Sequence, residues 1–211
     1  MIKAIIYDLD GVLVDATEWH YESLNEALME ICGFKISRSE HLTTFNGLPT
    51  NTKLDILYKQ GKIKSNEDFK LIWDLKQQKT IDVISKNAIQ DSVKLRLHMG
   101  TKSYKKACVT NSIKKTARLM LEKTGQLNFM DFLISNEDVD EPKPSPEGYI
   151  TAISKLNLKP NECMIVEDSP KGITAAKLSQ AFVYEVSGYH EVTLENIIQK
   201  ISQFNLEQTH S

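Results

Sequence analysis

Apolar and polar positions alternate along this chain on two different periods. A short apolar run, Ile2-Lys3-Ala4-Ile5-Ile6-Tyr7, opens it. Runs of this kind, rich in β-branched residues and poor in charge, read as strands buried on both faces, as in parallel sheets. A helical pattern follows over Thr17 to Cys32, with Leu24, Leu28, Ile31 and Cys32 on one face and Gly33 as its stop. Asp15 and Glu18 have the spacing of a capping box at its start.

Residues 37 to 84 carry helical patterns and little strand signal. Leu54, Leu57 and Tyr58 mark one helix ending near Gly61, and Phe69, Ile72, Trp73 and Lys76 mark another. Phe45-Asn46-Gly47-Leu48-Pro49 reads as a loop between them. A helical block thus interrupts strand–helix alternation, which predicts an inserted subdomain over 16–85 and a core formed by 1–15 and 86–211.

Alternation then resumes. Strands are expected at Lys106–Thr110, Phe132–Ile134, Cys163–Val166 and Ala181–Val186. The helices between them are marked by Ile113, Ala117, Met120 and Leu121, by Tyr149, Ile150, Ile153 and Leu156, and by a segment opened at Ser169-Pro170. Gly125 reads as the stop of the first, and Ser145-Pro146 as the N-cap and first residue of the second. Leu194, Ile197, Ile198, Ile201 and Phe204 give a last amphipathic helix. The fold class is therefore α/β, with a doubly wound parallel sheet.

Composition adds bounds. The 211 residues carry 26 Lys and Arg against 28 Asp and Glu, a net charge of -2, which gives no reason to expect nucleic acid as a partner. No apolar stretch approaches the roughly 20 residues that span a bilayer, so no membrane partner is expected. Ile2 to Tyr7 runs straight into charged residues, unlike a signal peptide. Cys32, Cys108 and Cys163 are odd in number and scattered, as buried thiols in a reducing compartment are. The cytoplasm is the expected location.

The chemistry-bearing residues fall at strand ends, where ligands bind in open α/β sheets. Asp8-Leu9-Asp10-Gly11 follows the first strand. Two carboxylates so close repel unless a cation lies between them, and Mg2+ takes oxygen ligands. One can act as a nucleophile and the other as a proton shuttle. A solvated Asp pair in a turn is the ordinary alternative. Thr110-Asn111-Ser112 offers a hydroxyl and backbone N–H groups to an anion, with helix capping by Ser112 as its plain role. Glu141-Pro142-Lys143-Pro144 holds a lysine in a stiff loop, and Glu167-Asp168 could complete a metal site or serve as a charged cap.

Together these segments resemble the haloacid dehalogenase superfamily, in its phosphatase and β-phosphoglucomutase-like branch with a small helical cap. DxDGxxxD at Asp8 to Asp15, the Thr110 segment, the KPxP of Lys143 and the ED of Glu167-Asp168 stand for its four motifs. The resemblance implies a Rossmann-like core and an inserted cap. It implies Mg2+-dependent hydrolysis of a small phosphorylated metabolite, such as a sugar phosphate, through an aspartyl-phosphate. Asp8 would be the nucleophile, Asp10 the general acid and base, and Lys143 the neutralising cation. Thr110 and the Asn111 backbone would bind phosphate oxygens. Asp8, the Asp10 carbonyl and Asp168 would hold Mg2+, with Glu167 binding it directly or through water. In the cap, His20, Lys76 and Gly47 would meet the substrate, with Phe45, Asn46 and Lys53 as further pocket candidates. A monomer is expected on the same ground.

A phosphosugar mutase of this branch is expected to carry a lysine before the cap-loop glycine and an arginine three residues after it. Asn46 and Thr50 occupy those places, which favours hydrolysis. A catalytically idle binder would have lost a nucleophile or ligand, and all are present.

Overall fold

The computed structural model describes residues 1–209, with side chains over 1–207. In chain order the elements are β1 (Ala4–Tyr7), α1 (Thr17–Cys32), α2 (Arg38–Glu40) running into a π-helical turn His41–Phe45, α3 (Thr50–Lys59), α4 (Phe69–Asn87), α5 (Ser92–Gly100), β2 (Lys105–Val109), α6 (Lys114–Lys123), β3 (Phe132–Ile134), α7 (Glu147–Lys155), β4 (Cys163–Glu167), α8 (Pro170–Leu178), β5 (Phe182–Glu185) and α9 (Leu194–Thr209). The chain divides into two compact units, one of Met1–Asp15 with Ile89–Ser211 and one of Ala16–Ala88.

In the first unit, five strands form a parallel sheet in the order β3-β2-β1-β4-β5. Ile6 lies between Ala107 of β2 and Ile165 of β4. Strand side chains alternate between faces. Ala4, Ile6, Ala107, Val109, Cys163 and Ile165 form one face and pack on Tyr149, Ala152 and Ile153 of α7 and Ala175 and Ala176 of α8. Ile5 and Tyr7 point the other way, where Tyr7 meets His98 of α5 edge-on. Both faces are covered, so the strands are apolar throughout, as the sequence pattern requires. The second unit has its own core of Leu24, Leu28, Ile36, Leu54, Leu57, Ile63 and Ile72.

Several expectations need correction. The N-cap of α1 is Ala16, with no side-chain cap, so Asp15 and Glu18 form no capping box; Asp15 is exposed. Glu147 opens α7 after Pro146 as N-cap, one residue later than expected, although the Glu147 N–H still donates to Ser145 Oγ at 3.3 Å. Phe45 closes the π-helical turn and lies in the second unit's core, 1% exposed, rather than in a pocket loop. Helix α5 has no counterpart in the sequence reading. Its inward side carries Lys94, Leu97 and His98, too polar to register as an apolar stripe. Lys94 nevertheless buries well, because its Nζ donates to the carbonyls of Tyr189 and Val192, each at 2.8 Å.

Ile6 is fully enclosed at the centre of the sheet. Ile6→Ala should lower unfolding free energy by about 2–5 kcal/mol. Denaturant unfolding checks this: the midpoint should fall with an unchanged slope.

Candidate active site

The site begins where β1 ends. The Asp8 N–H donates to the Val166 carbonyl at 3.0 Å, which extends the β1–β4 ladder by one residue and fixes the side chain in a buried position, 7% exposed. Leu9 to Val14 then form a tight turn. The Leu13 and Val14 N–H groups both donate to the Leu9 carbonyl at 2.9 Å, and Gly11 N–H donates to Val14 O at 2.8 Å. Gly11 has φ +89°, and a Cβ there would lie 2.1 Å from Asp168 Oδ2. Both the backbone angle and the close approach require glycine.

Asp10 turns its carboxylate toward the end of β2. Ser112 Oγ donates to Asp10 Oδ2 at 2.7 Å, and Thr110 Oγ1 lies 3.5 Å from the same oxygen. Thr110 Oγ1 also accepts from the Ser112 N–H at 3.0 Å. The N-cap of α6 is Ile113, without a side-chain cap, so Ser112 holds Asp10 instead of capping that helix. The Asn111 side chain accepts from the Lys143 N–H at 3.0 Å and donates to the Lys143 carbonyl at 3.1 Å. These two bonds fix the backbone from which the lysine projects.

Lys143 Nζ lies 2.5 Å from Asp8 Oδ1 and 2.8 Å from Glu167 Oε1, and 4.7 Å from the centre of the Tyr149 ring. Glu167 is fully enclosed and accepts four hydrogen bonds. They come from Lys143 Nζ, Tyr149 Oη at 3.2 Å, the Ser169 N–H at 2.9 Å and Ser169 Oγ at 3.1 Å. A Cβ on Gly172 would fall 1.8 Å from Glu167 Oε1, so the first turn of α8 leaves room for this carboxylate. Asp168 contrasts with its neighbour. Its Oδ1 is shut off from solvent and has no hydrogen-bond partner.

Electrostatics follow from the crowding. Burial pushes the Asp8 carboxyl well above its ordinary value; Lys143 opposes the shift, and Glu167, Asp168 and Asp10 add to it. Asp168 rises to about 7, through burial first and then Glu167 and Asp10. Burial pulls the Lys143 pKa down, but Asp8 and Glu167 outweigh it and hold it above the ordinary lysine value. Asp8, Glu167 and Asp168 each offer a carboxylate oxygen within 4.8 Å of the others. An all-oxygen set with excess negative charge and one unpartnered buried oxygen fits a hard divalent cation. Asp8 and Asp168 have the open oxygens, while those of Glu167 are already engaged.

The sequence model of the family described as haloacid dehalogenase-like hydrolase matches residues 5–186. The chain belongs to that family. Among curated relatives, the phosphorylated carbohydrates phosphatase of Thermotoga maritima is 26% identical over 179 residues, 83% of this chain and 81% of the relative. The validoxylamine A 7'-phosphate phosphatase of Streptomyces hygroscopicus subsp. limoneus is 40% identical over 83 residues, only 39% of either chain. The solved β-phosphoglucomutase of Clostridium difficile covers all of both chains with a TM-score of 0.84 at 24% identity, a likeness of fold.

As a haloacid dehalogenase-like hydrolase, the chain brings Asp8, Asp10, Thr110, Asn111, Lys143, Glu167 and Asp168 together in the first unit. His20, Lys76 and Gly47 belong to the second. There His20 Nδ1 lies 3.4 Å from Lys76 Nζ. An ammonium can only donate, so this nitrogen is the acceptor. Lys76 and Lys53 are both 6% exposed, low for lysine. Gly47 has φ +73° in the turn after Phe45. The sequence reading missed Tyr149 and Ser169 as partners of Glu167, since each also satisfies a helix pattern. It missed the Asn111 side chain because nothing local announces a bond across 32 residues.

The Asp168 shift sets a pH test. Between about pH 4 and 7 the folded protein holds a proton on Asp168 that the unfolded chain has released. The unfolded state then binds fewer protons, so stability falls as pH rises through that window. In chelator, the melting temperature should drop from pH 5 to 8. A divalent cation should reverse the drop and stabilise more at pH 8 than at pH 5. Calorimetric melts across the four conditions check both signs.

Proposed function

We propose that this chain is a Mg2+-dependent phosphatase that hydrolyses a small phosphorylated metabolite, such as a sugar phosphate, through an aspartyl-phosphate on Asp8. The observation that carries the reading is the placement of Asp8, bonded to Lys143 and with a carboxylate oxygen within 4.8 Å of one of Asp168, whose Oδ1 has no hydrogen-bond partner. A buried carboxylate so bracketed is fixed in direction and accessible to positive charge, as a nucleophile toward phosphorus must be.

Asp8 attacks the phosphorus. The new O–P bond forms as the bond to the leaving oxygen breaks, and Asp10 donates a proton to that oxygen. Water then attacks the phosphoryl group on Asp8 while the Asp10 carboxylate takes its proton, which releases phosphate and restores Asp8. Ser112 and Thr110 keep the Asp10 carboxylate apart from Asp8 between these two transfers. Lys143 and the Thr110 hydroxyl neutralise and orient the phosphoryl oxygens, with the Asn111 backbone N–H. Mg2+, held by Asp8, Asp168 and the Asp10 main-chain carbonyl, would supply charge to the phosphate and keep Asp8 ionised. Glu167 serves this reading as the anchor of Lys143, and would meet the metal directly or through water.

The second unit serves as the cap and supplies substrate contacts from His20, Lys76 and Gly47. Its enclosed lysines suit an anionic, polar substrate. The names of the phosphatase relatives support a phosphorylated carbohydrate or a similar metabolite. Asn46 and Thr50 favour hydrolysis over a phosphosugar mutase, which needs a second phosphate clamp.

Phosphate release across a panel of phosphorylated sugars and related metabolites, with Mg2+, tests the reading. Release from one or a few members is expected, with none in chelator. Asp8→Asn should lower kcat by at least about a thousandfold while leaving the circular dichroism spectrum unchanged. Full turnover in that variant would sink the mechanism. Conversion of β-glucose 1-phosphate to glucose 6-phosphate with a bisphosphate primer, without phosphate release, would replace hydrolysis by mutase chemistry.

A further inference from the structure

Gln126 has no exposed surface and carries no role in the chemistry above. It follows Gly125, whose φ of +78° ends α6 and turns the chain inward. The Gln126 N–H closes that turn on the Leu121 carbonyl at 2.7 Å. Its side-chain amide then reaches 113 residues back along the sequence and donates to the Leu13 carbonyl at 2.9 Å. Leu13 belongs to the turn that carries Asp10 and Gly11.

We propose that Gln126 is a positioning residue for Asp10, bracing the turn Leu9–Val14 from outside through the Leu13 carbonyl. The inference rests on the reading of Asp10 as general acid and base. Inside the turn, backbone bonds tie Leu13 N–H and Val14 N–H to Leu9 O, and Gly11 N–H to Val14 O. These bonds hold the turn's shape but not its place relative to the sheet. Gln126 supplies that second constraint on the Leu13 side, as Ser112 does on the Asp10 carboxylate.

The amide has one orientation open to it. Its other N–H donates to Thr124 Oγ1 at 2.9 Å, and Thr124 Oγ1 in turn donates to Met120 O at 2.8 Å. Its Oε1 lies 3.0 Å from His98 Nε2. With both amide hydrogens committed, that oxygen must accept, so His98 is the Nε2–H tautomer. Burial draws the His98 pKa down to about 4, so the ring is uncharged at neutral pH. A flipped amide would set oxygen against the Leu13 carbonyl and nitrogen against the His98 N–H. His98 is itself fixed between Tyr7 of β1, edge-on at 5.8 Å, and Phe129, stacked at 5.2 Å. The brace thus runs from the central strand and α6 to the turn of Asp10.

The test separates positioning from plain stability. p-Nitrophenolate leaves without needing a proton, whereas the alkoxide of a sugar phosphate needs one. Gln126→Met keeps length and apolar bulk and removes both donors. It should lower kcat/KM for the best alkyl phosphate of the panel about tenfold more than kcat/KM for p-nitrophenyl phosphate, since kcat/KM reports the transfer to Asp8 and not the later attack of water that both substrates share. Asp10→Asn should show the same selectivity, more strongly. Equal losses on both substrates in Gln126→Met, beside a selective loss in Asp10→Asn, would overturn the brace and leave the role of Asp10 standing. Equal losses of kcat/KM in both variants would overturn the role of Asp10 as general acid, and the brace with it. If Gln126→Met does not fold, Gln126→Leu carries the same test, since it too is apolar and loses the donor to Leu13.

Discussion

Four carboxylates crowd together where β1 and β4 end, two of them sharing one buried ammonium, and the rest of the core unit answers to that crowding. The sheet itself imposes it. Ile6 pairs with Ile165 in a parallel register, so the next residues on the same face, Asp8 and Glu167, must fall side by side. No rearrangement of loops could separate them without breaking the ladder. Their repulsion is held in check from the same face, because Lys143 arrives on the segment that leads into α7. The enclosed apolar strands supply the stability that a cluster of this kind consumes.

Many features around the site are consequences. Gly172 leaves the space that Glu167 fills, and Gly11 leaves the space that Asp168 fills. Tyr149, chosen by helix periodicity to pack on the sheet, also offers its hydroxyl to Glu167 and its ring to Lys143. Asn111 bonds the Lys143 backbone through both ends of its amide. Each device acts on a neighbour of the carboxylates, so the geometry of the cluster is set from several elements at once.

The legible parts were those where one physical signal dominates. β3 is visible in full from Phe132–Ile134, and α1 from its periodicity and the Gly33 stop. The carboxylates and Lys143 were legible because they sit at strand ends within a dense set of motifs. The hidden parts are those where two demands share a residue. Ser112 stands where a cap belongs, yet bonds Asp10 across 102 residues. Helix α5 hides because Lys94 and His98 replace apolar side chains on its inner side, a substitution made tolerable by carbonyls and an amide from distant segments. Periodicity reads a residue's own helix and is blind to such partners.

Glu167 and Asp168 show how much chemistry adjacency leaves undecided. They are consecutive and alike in charge, one enclosed and the other half-buried, and in sequence they stand as one acidic pair. Strand alternation sends Glu167 to the face of α7 and α8, where four donors meet its oxygens. Asp168 lies one step beyond the strand, against Gly11, with an oxygen that nothing satisfies. A buried carboxylate with four donors is already stabilised as an anion, whereas one with an orphaned oxygen is not. The ammonium and the proposed divalent cation therefore answer to different carboxylates. The ammonium settles between Glu167 and Asp8, and the proposed reading gives the divalent cation to Asp168 and Asp8. Asp8 is the one carboxylate common to both, which is why its position, more than its identity as an acid, sets it apart from the other three.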